Sequence, residues 1–84
     1  MYRIAYERSV PASIERLPLV IRTRVLRLLE RLKEWPAVSG AKPLRGAFAG
    51  RYRLRTGDYR VQFRMEADRV VVEKVGHRDG FYGE

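Results

Sequence analysis

The stretch RYRLRTGDYRVQFR, Arg51 to Arg64, decides how this chain folds. Gly57-Asp58 at its centre predicts a two-residue hairpin turn between two strands. Counting outward from that turn sets Thr56 against Tyr59, Arg55 against Arg60, Arg53 against Gln62 and Arg51 against Arg64. Side chains alternate sides along a strand. Arg51, Arg53, Arg55, Arg60, Gln62 and Arg64 therefore share one face, while Tyr52, Leu54, Tyr59, Val61 and Phe63 share the other. A slip of one residue in either strand would destroy this segregation, so its clarity supports the register. Like charges facing one another across strands repel, and no acidic residue lies among these six. A face of this kind calls for an anionic partner.

The rest of the chain supplies the layer that covers the apolar side. Tyr2–Glu7 alternates as a strand, with Ile4 and Tyr6, or Arg3 and Ala5, turned inward. Ser9 is a candidate N-cap for a short helix with Pro11 in its first turn, which ends at Pro18. Pro18 opens a second helix, in which Ile21, Val25, Leu28, Leu29 and Leu32 recur at helical spacing, and Trp35-Pro36 closes it. Arg24, Arg27 and Arg31 fall on the outer side of this helix, where a solvated surface is the simplest reading. Ala37–Gly50, rich in Gly, Ala and Pro, reads as a loop. Strands follow at Arg51–Thr56, Tyr59–Met65 and Arg69–Gly76, the last with a run of three valines that suits burial on both faces. The remaining tail is too short for a final helix. The expected fold is a single α+β domain over residues 1–84. It comprises an N-terminal strand, a helical hairpin and a three-stranded antiparallel meander, with the helices on one face of the sheet and the other face open.

Composition narrows the function. A chain of 84 residues buries only about 60–65% of its unfolded surface, which leaves little room for an enclosed cavity. A net charge of +8 and a pI near 10.6 point to a polyanion. Only Lys33, Lys42 and Lys74 of the 18 basic residues are lysines. Arginine is the residue suited to bidentate phosphate contact and to stacking on bases, and aromatics beside such a face favour single-stranded RNA. The absence of cysteine removes disulfide and thiolate chemistry, and a single histidine argues against a zinc site. No signal or membrane segment is evident, and the cytoplasm is the expected location.

The motifs of the second half of the chain carry a family resemblance. KPLRG (Lys42–Gly46), GRYRLRTGDYRVQFRME (Gly50–Glu66) and RVVVEKVGHRDGFY (Arg69–Tyr82) resemble the RelE/ParE toxin superfamily, in particular its RelE-type branch. The β-α-α-β-β-β order also matches, so the resemblance covers the whole chain. It implies the toxin of a type II toxin–antitoxin system, a ribosome-dependent mRNA endoribonuclease that cuts in the A site without metal or other cofactor. It also implies a cognate RelB-like antitoxin as partner, alongside the 70S ribosome and mRNA, and no membrane.

By the same resemblance, Arg53, Arg55, Arg60, Arg78 and Tyr82 are candidate catalytic residues. His77 is a further candidate acid or base, since its ordinary pKa lies near neutrality. Arg45, in the Leu-Arg-Gly motif, is a candidate RNA or ribosome contact, as are Arg51, Arg64 and Lys42. Positions 53 and 55 are lysines in relatives and arginines here. Arginine stays protonated at any ordinary pH and is a poor general base. A ParE-like gyrase poison, or an inactive homologue that binds only RNA or antitoxin, remains an alternative.

Overall fold

A computed structural model of the chain describes residues 2–81. The elements run β1 (Arg3–Tyr6), α1 (Val10–Glu15), α2 (Leu19–Arg31), a 3-10 turn at Leu32–Glu34 and β2 (Lys42–Pro43). They continue through a second 3-10 turn at Gly46–Phe48, then β3 (Arg51–Thr56), β4 (Tyr59–Glu66), β5 (Arg69–His77) and α3 (Arg78–Phe81). The sheet has five strands in the order β1-β5-β4-β3-β2. The hairpin register is the one read from the turn: Thr56 faces Tyr59, and Arg51 faces Arg64.

Three features depart from expectation. The expected meander is the centre of a wider, mixed sheet, because β1 joins its far edge parallel to β5, with Ile4 opposite Val70. The expected loop contributes β2, two residues paired to β3 with Lys42 opposite Arg53. The tail also forms the short helix α3. A single helical turn is not stable alone, but this one is docked. The Arg78 N–H donates to the Asp58 carbonyl at 2.7 Å, and Phe81 is buried to 1% exposure, close above Gly76.

Ser9 occupies the cap position of α1, but its hydroxyl caps nothing. The Ser13 hydroxyl instead donates to the Ser9 carbonyl. Arg22 fastens the two helices together, its guanidinium donating to the carbonyls of Glu15 and Leu17 at the end of α1.

The core lies between the helices and one sheet face. Val25, Leu28, Leu29 and Leu32 pack onto Leu54, Val61, Phe63, Val70, Val72 and Val75. Trp35 stands edge-on to Tyr52 and Phe63, with ring centroids at 4.8 and 5.3 Å, and locks the end of the helical layer to the hairpin. Ile4 joins this core, whereas Tyr6 is largely exposed. Val71 faces the opposite way, across from Arg64, and is still buried, so the valine run is covered on both sides.

The β4–β5 turn carries one strained residue, Ala67, at φ 55°. A side chain in this left-handed region costs about 1–2 kcal/mol, a penalty glycine escapes. Ala67→Gly is expected to stabilise the fold by up to ~1 kcal/mol after its own entropic cost, read as a higher urea midpoint at unchanged m-value.

Candidate nucleic-acid interface

The face of the sheet away from the helices is built by β3, β4 and β5, with β2 at its edge. Gln62 faces Lys74, yet the next residue, Phe63, faces Val72. Glu73 is therefore the extra residue of a β-bulge. The bulge sets both Glu73 and Lys74 on the open face and returns Val75 to the core.

Glu73 changes the electrostatics of half this face. Its carboxylate accepts from Arg51 Nε at 2.8 Å, Gln62 Nε2 at 3.0 Å and Arg64 Nη1 at 2.7 Å. Arg64 also donates to Glu7 at 2.7 Å and to Glu66 at 3.1 Å. Burial pulls the Glu73 carboxyl upward, but the bonds from Gln62, Arg64 and Arg51 together outweigh it and hold its pKa below the ordinary range. The bond to Glu7, followed by that to Glu73, raises the pKa of Arg64 above its ordinary value. The uniformly cationic face expected from the hairpin alone is thus divided, because β4, β5 and the residue that follows β1 each bring a carboxylate to its Arg51–Arg64 end.

The other half is uncompensated. Arg53, Arg55 and Arg60 form no ion pair among the described residues. The Nε atoms of Arg53 and Arg60 are buried without a hydrogen-bond partner. Arg53 and Gln62 are cross-strand neighbours, as are Arg55 and Arg60, and Lys42 lies beside Arg53 on the edge strand. These groups are crowded by backbone register, so their mutual repulsion is fixed into the fold.

The remaining candidates are distributed around this cluster. Arg78 is exposed at the sheet end, with Nε 3.8 Å from Asp58 and 3.6 Å from Asp79, distances that leave its guanidinium loosely held. Arg45 is exposed at the head of the 46–48 turn. His77 faces Tyr59, with the rings edge-on at 5.1 Å, which places it on the helix-covered side of the sheet, away from the side of Arg53 and Arg60. Its Nδ1 accepts from the Asp79 N–H at 3.1 Å and lies 3.5 Å from the Asp79 carboxylate. Tyr82 lies outside the described residues.

Glu73, Glu7 and Glu66 are the site residues that sequence reasoning missed. Extending the face count from the hairpin to the third strand would have found Glu73. Among the described residues no group of three or more His, Cys, Asp or Glu side chains could hold a metal ion, and no helix is long and apolar enough to cross a membrane.

Fold and face together define a small α+β protein with an open, arginine-rich sheet. A comparison with protein-family models gives no match, and neither does one with curated proteins. Solved structures do match. A chain of a RelBE toxin–antitoxin complex from Mycobacterium tuberculosis is 29% identical, with a TM-score of 0.79, covering 92% of this chain and 98% of that one. A chain of the archaeal RelE–RelB complex from Pyrococcus horikoshii is 25% identical, with a TM-score of 0.73, covering 94% and 97%. The isolated RelE toxin of Escherichia coli shares the fold at 21% identity, with a TM-score of 0.76, covering 92% and 84%. The chain has the RelE fold and falls in the RelE-type toxin superfamily, as its C-terminal motifs imply.

Proposed function

We propose that this protein is the toxin of a type II toxin–antitoxin pair and an endoribonuclease that cleaves mRNA in the ribosomal A site. The observation that carries this reading is the unpaired arginine cluster, Arg53, Arg55 and Arg60, held by strand register with two buried Nε donors awaiting acceptors. Phosphate oxygens are the acceptors that suit planar, permanently charged forks. Similarity to chains of RelBE complexes supports the toxin role and a RelB-like antitoxin as partner.

In the proposed reaction the ribose 2′-oxygen attacks the adjacent phosphorus and the bond from phosphorus to the 5′-oxygen breaks. The products are a 2′,3′-cyclic phosphate and a 5′-hydroxyl. The 2′-OH proton is lost and the leaving oxygen gains one. Negative charge grows on the phosphoryl oxygens, where Arg53 and Arg60 provide fixed positive charge and Arg55 assists. We assign Arg78, at the sheet end, to the leaving oxygen. His77 stands on the other side of the sheet, so the cluster works through charge stabilisation, and proton transfer falls to groups outside it.

Primer extension on a defined mRNA, with and without programmed ribosomes, tests the proposal. Cuts inside A-site codons only when ribosomes are present are the expected result. Cuts on naked RNA would make the protein a free ribonuclease. An absence of cuts in both would overturn the nuclease reading, and a gyrase supercoiling assay would follow.

A further inference from the structure

A recess of about 220 Å³ opens at the edge of the sheet, beside the cationic half of the open face. It exists because β2 begins at Lys42, opposite Arg53, and no strand covers the edge of β3 beyond that point. The Ser39-Gly40 turn and the end of α2 stand across the gap. Four cations line it, Arg31, Lys42, Arg53 and Arg55, with Ser39 among them and no carboxylate. None of the four forms an ion pair among the described residues. Arg31 is the unexpected member. It is the last residue of α2, on the side of the helix that the sequence assigns to solvent. The structure fastens it instead. Its guanidinium donates to the Ser39 carbonyl at 2.8 Å and to the Ser39 hydroxyl at 3.3 Å. Gly40, at φ 89°, supplies the left-handed residue of the turn that carries Ser39. Both acceptors are neutral, so Arg31 is held in place with its charge uncancelled. Arg64 is the reverse case, held by carboxylates.

We propose that this recess binds an internal backbone phosphate of RNA, next along the strand from the phosphate held by Arg53 and Arg60, with Arg31 and Ser39 as contacts of its own. The inference rests on the RNA-binding reading above. Like charges crowded round a small space repel one another, and one phosphate relieves that repulsion for all four cations. The ties from Arg31 to Ser39 use Nη2 alone, which leaves donors on Nη1 and Nε for phosphate oxygens. The Ser39 hydroxyl accepts from Arg31 and keeps its own O–H to donate. Arg60 on β4 and Lys42 on β2 stand two strand spacings apart, about 10 Å, with Arg53 and Arg55 between them. That separation suits two successive phosphates of one strand. A phosphate contact carries no base information, so the recess fixes where the strand lies and leaves the bases unread.

The test is fluorescence anisotropy of the full chain with labelled single-stranded 2′-O-methyl RNA, which lacks the 2′-OH and so reports binding without cleavage. Arg31→Gln is expected to weaken binding about tenfold at low salt, the lower end for a hydrogen bond to a charged group. The salt slope should fall by about 0.7, the value for one phosphate contact on a single strand. Two strands of different sequence should lose affinity alike, while thermal unfolding reports an intact fold. Ser39→Asp places a carboxylate in the recess and keeps the backbone carbonyl that holds Arg31, and it should weaken binding at least as much. Arg16→Gln removes the same charge at the end of α1 and is expected to leave the salt slope unchanged. A loss in Arg31→Gln no greater than in Arg16→Gln would overturn the site. RNA binding indifferent to both Arg31→Gln and Ser39→Asp would overturn it too, and would leave the recess to an acidic protein partner. Tighter binding of a strand that carries a 5′-phosphate, abolished by Arg31→Gln, would assign the recess to a strand end and overturn the internal position. The expected binding effects without A-site cleavage would uphold the recess and overturn only the nuclease reading. Absence of RNA binding by the wild type, even at low salt, would overturn both.

Discussion

Arg60→Ala is expected to lower A-site cleavage of mRNA by about 10²- to 10³-fold, the cost of removing one preorganised donor from a developing oxyanion. The Arg60 Nε is buried without a partner, and its cross-strand neighbour is Arg55. Truncation therefore breaks no internal ion pair and relieves repulsion, so the melting temperature should hold or rise. Loss of activity together with unchanged or greater stability is the signature of a residue kept for its ligand. Single-turnover primer extension on programmed ribosomes reads the first effect and thermal unfolding reads the second. Arg60→Lys separates charge from geometry. If the fork matters, lysine restores only part of the rate. Full activity in Arg60→Ala would remove this arginine from the reaction.

Glu73→Gln is expected to act in the opposite sense on stability. The Glu73 side chain is 11% exposed and is paired with both Arg51 and Arg64. Removing its charge leaves two partly covered guanidinium groups short of a counterion. Breaking a fully buried pair costs about 3–5 kcal/mol. Here the arginines retain some solvent, and Arg64 keeps Glu7 and Glu66, so a loss of about 2 kcal/mol is expected, roughly 10 °C in melting temperature for a domain of this size.

The same carboxylate sets an acid limb. Its pKa is lower in the folded protein than in the unfolded chain. Its contribution is therefore complete above the unfolded value of about 4.5 and is lost as pH falls through the folded value. Urea titrations at neutral pH and below 4.5 should show this loss in the wild type and a shallower one in Glu73→Gln. RNA affinity should change the other way. With Arg51 freed of its carboxylate, binding at low salt should tighten, and the dependence on salt should steepen by about 0.7 for an added phosphate contact on a single strand.

The distinction between local and distant information explains what the sequence revealed. The hairpin was legible because its register follows from a two-residue turn and strict alternation, both contained within fourteen residues. The apolar stripe of α2 was legible for a similar reason. The position of β1 beside β5, the two-residue β2 and the docked turn α3 all depend on partners far along the chain. Their own sequences are too short to declare them. The arginine cluster was read correctly as a shared face, but the face was drawn from two strands. Glu73 arrives on a third, and Glu7 and Glu66 reach it from β1's end and β4's end. Charge balance on a sheet is a property of neighbouring strands, and no single segment records it.

The parallel pairing of β1 with β5 has a temporal meaning for a protein proposed to act on ribosomes. β5 is an inner strand of the sheet, flanked by β1 and β4, and among the described strands it comes last in the chain. Until it emerges, β1 has no hydrogen-bonding neighbour, the apolar stripe of α2 lacks Val70, Val72 and Val75, and Arg51 lacks Glu73. Such distant pairing also makes folding slow relative to local elements. The hairpin that carries Arg53, Arg55 and Arg60 can thus close on its own, and the carboxylate that balances Arg51 and Arg64 joins the face only when β5 is added.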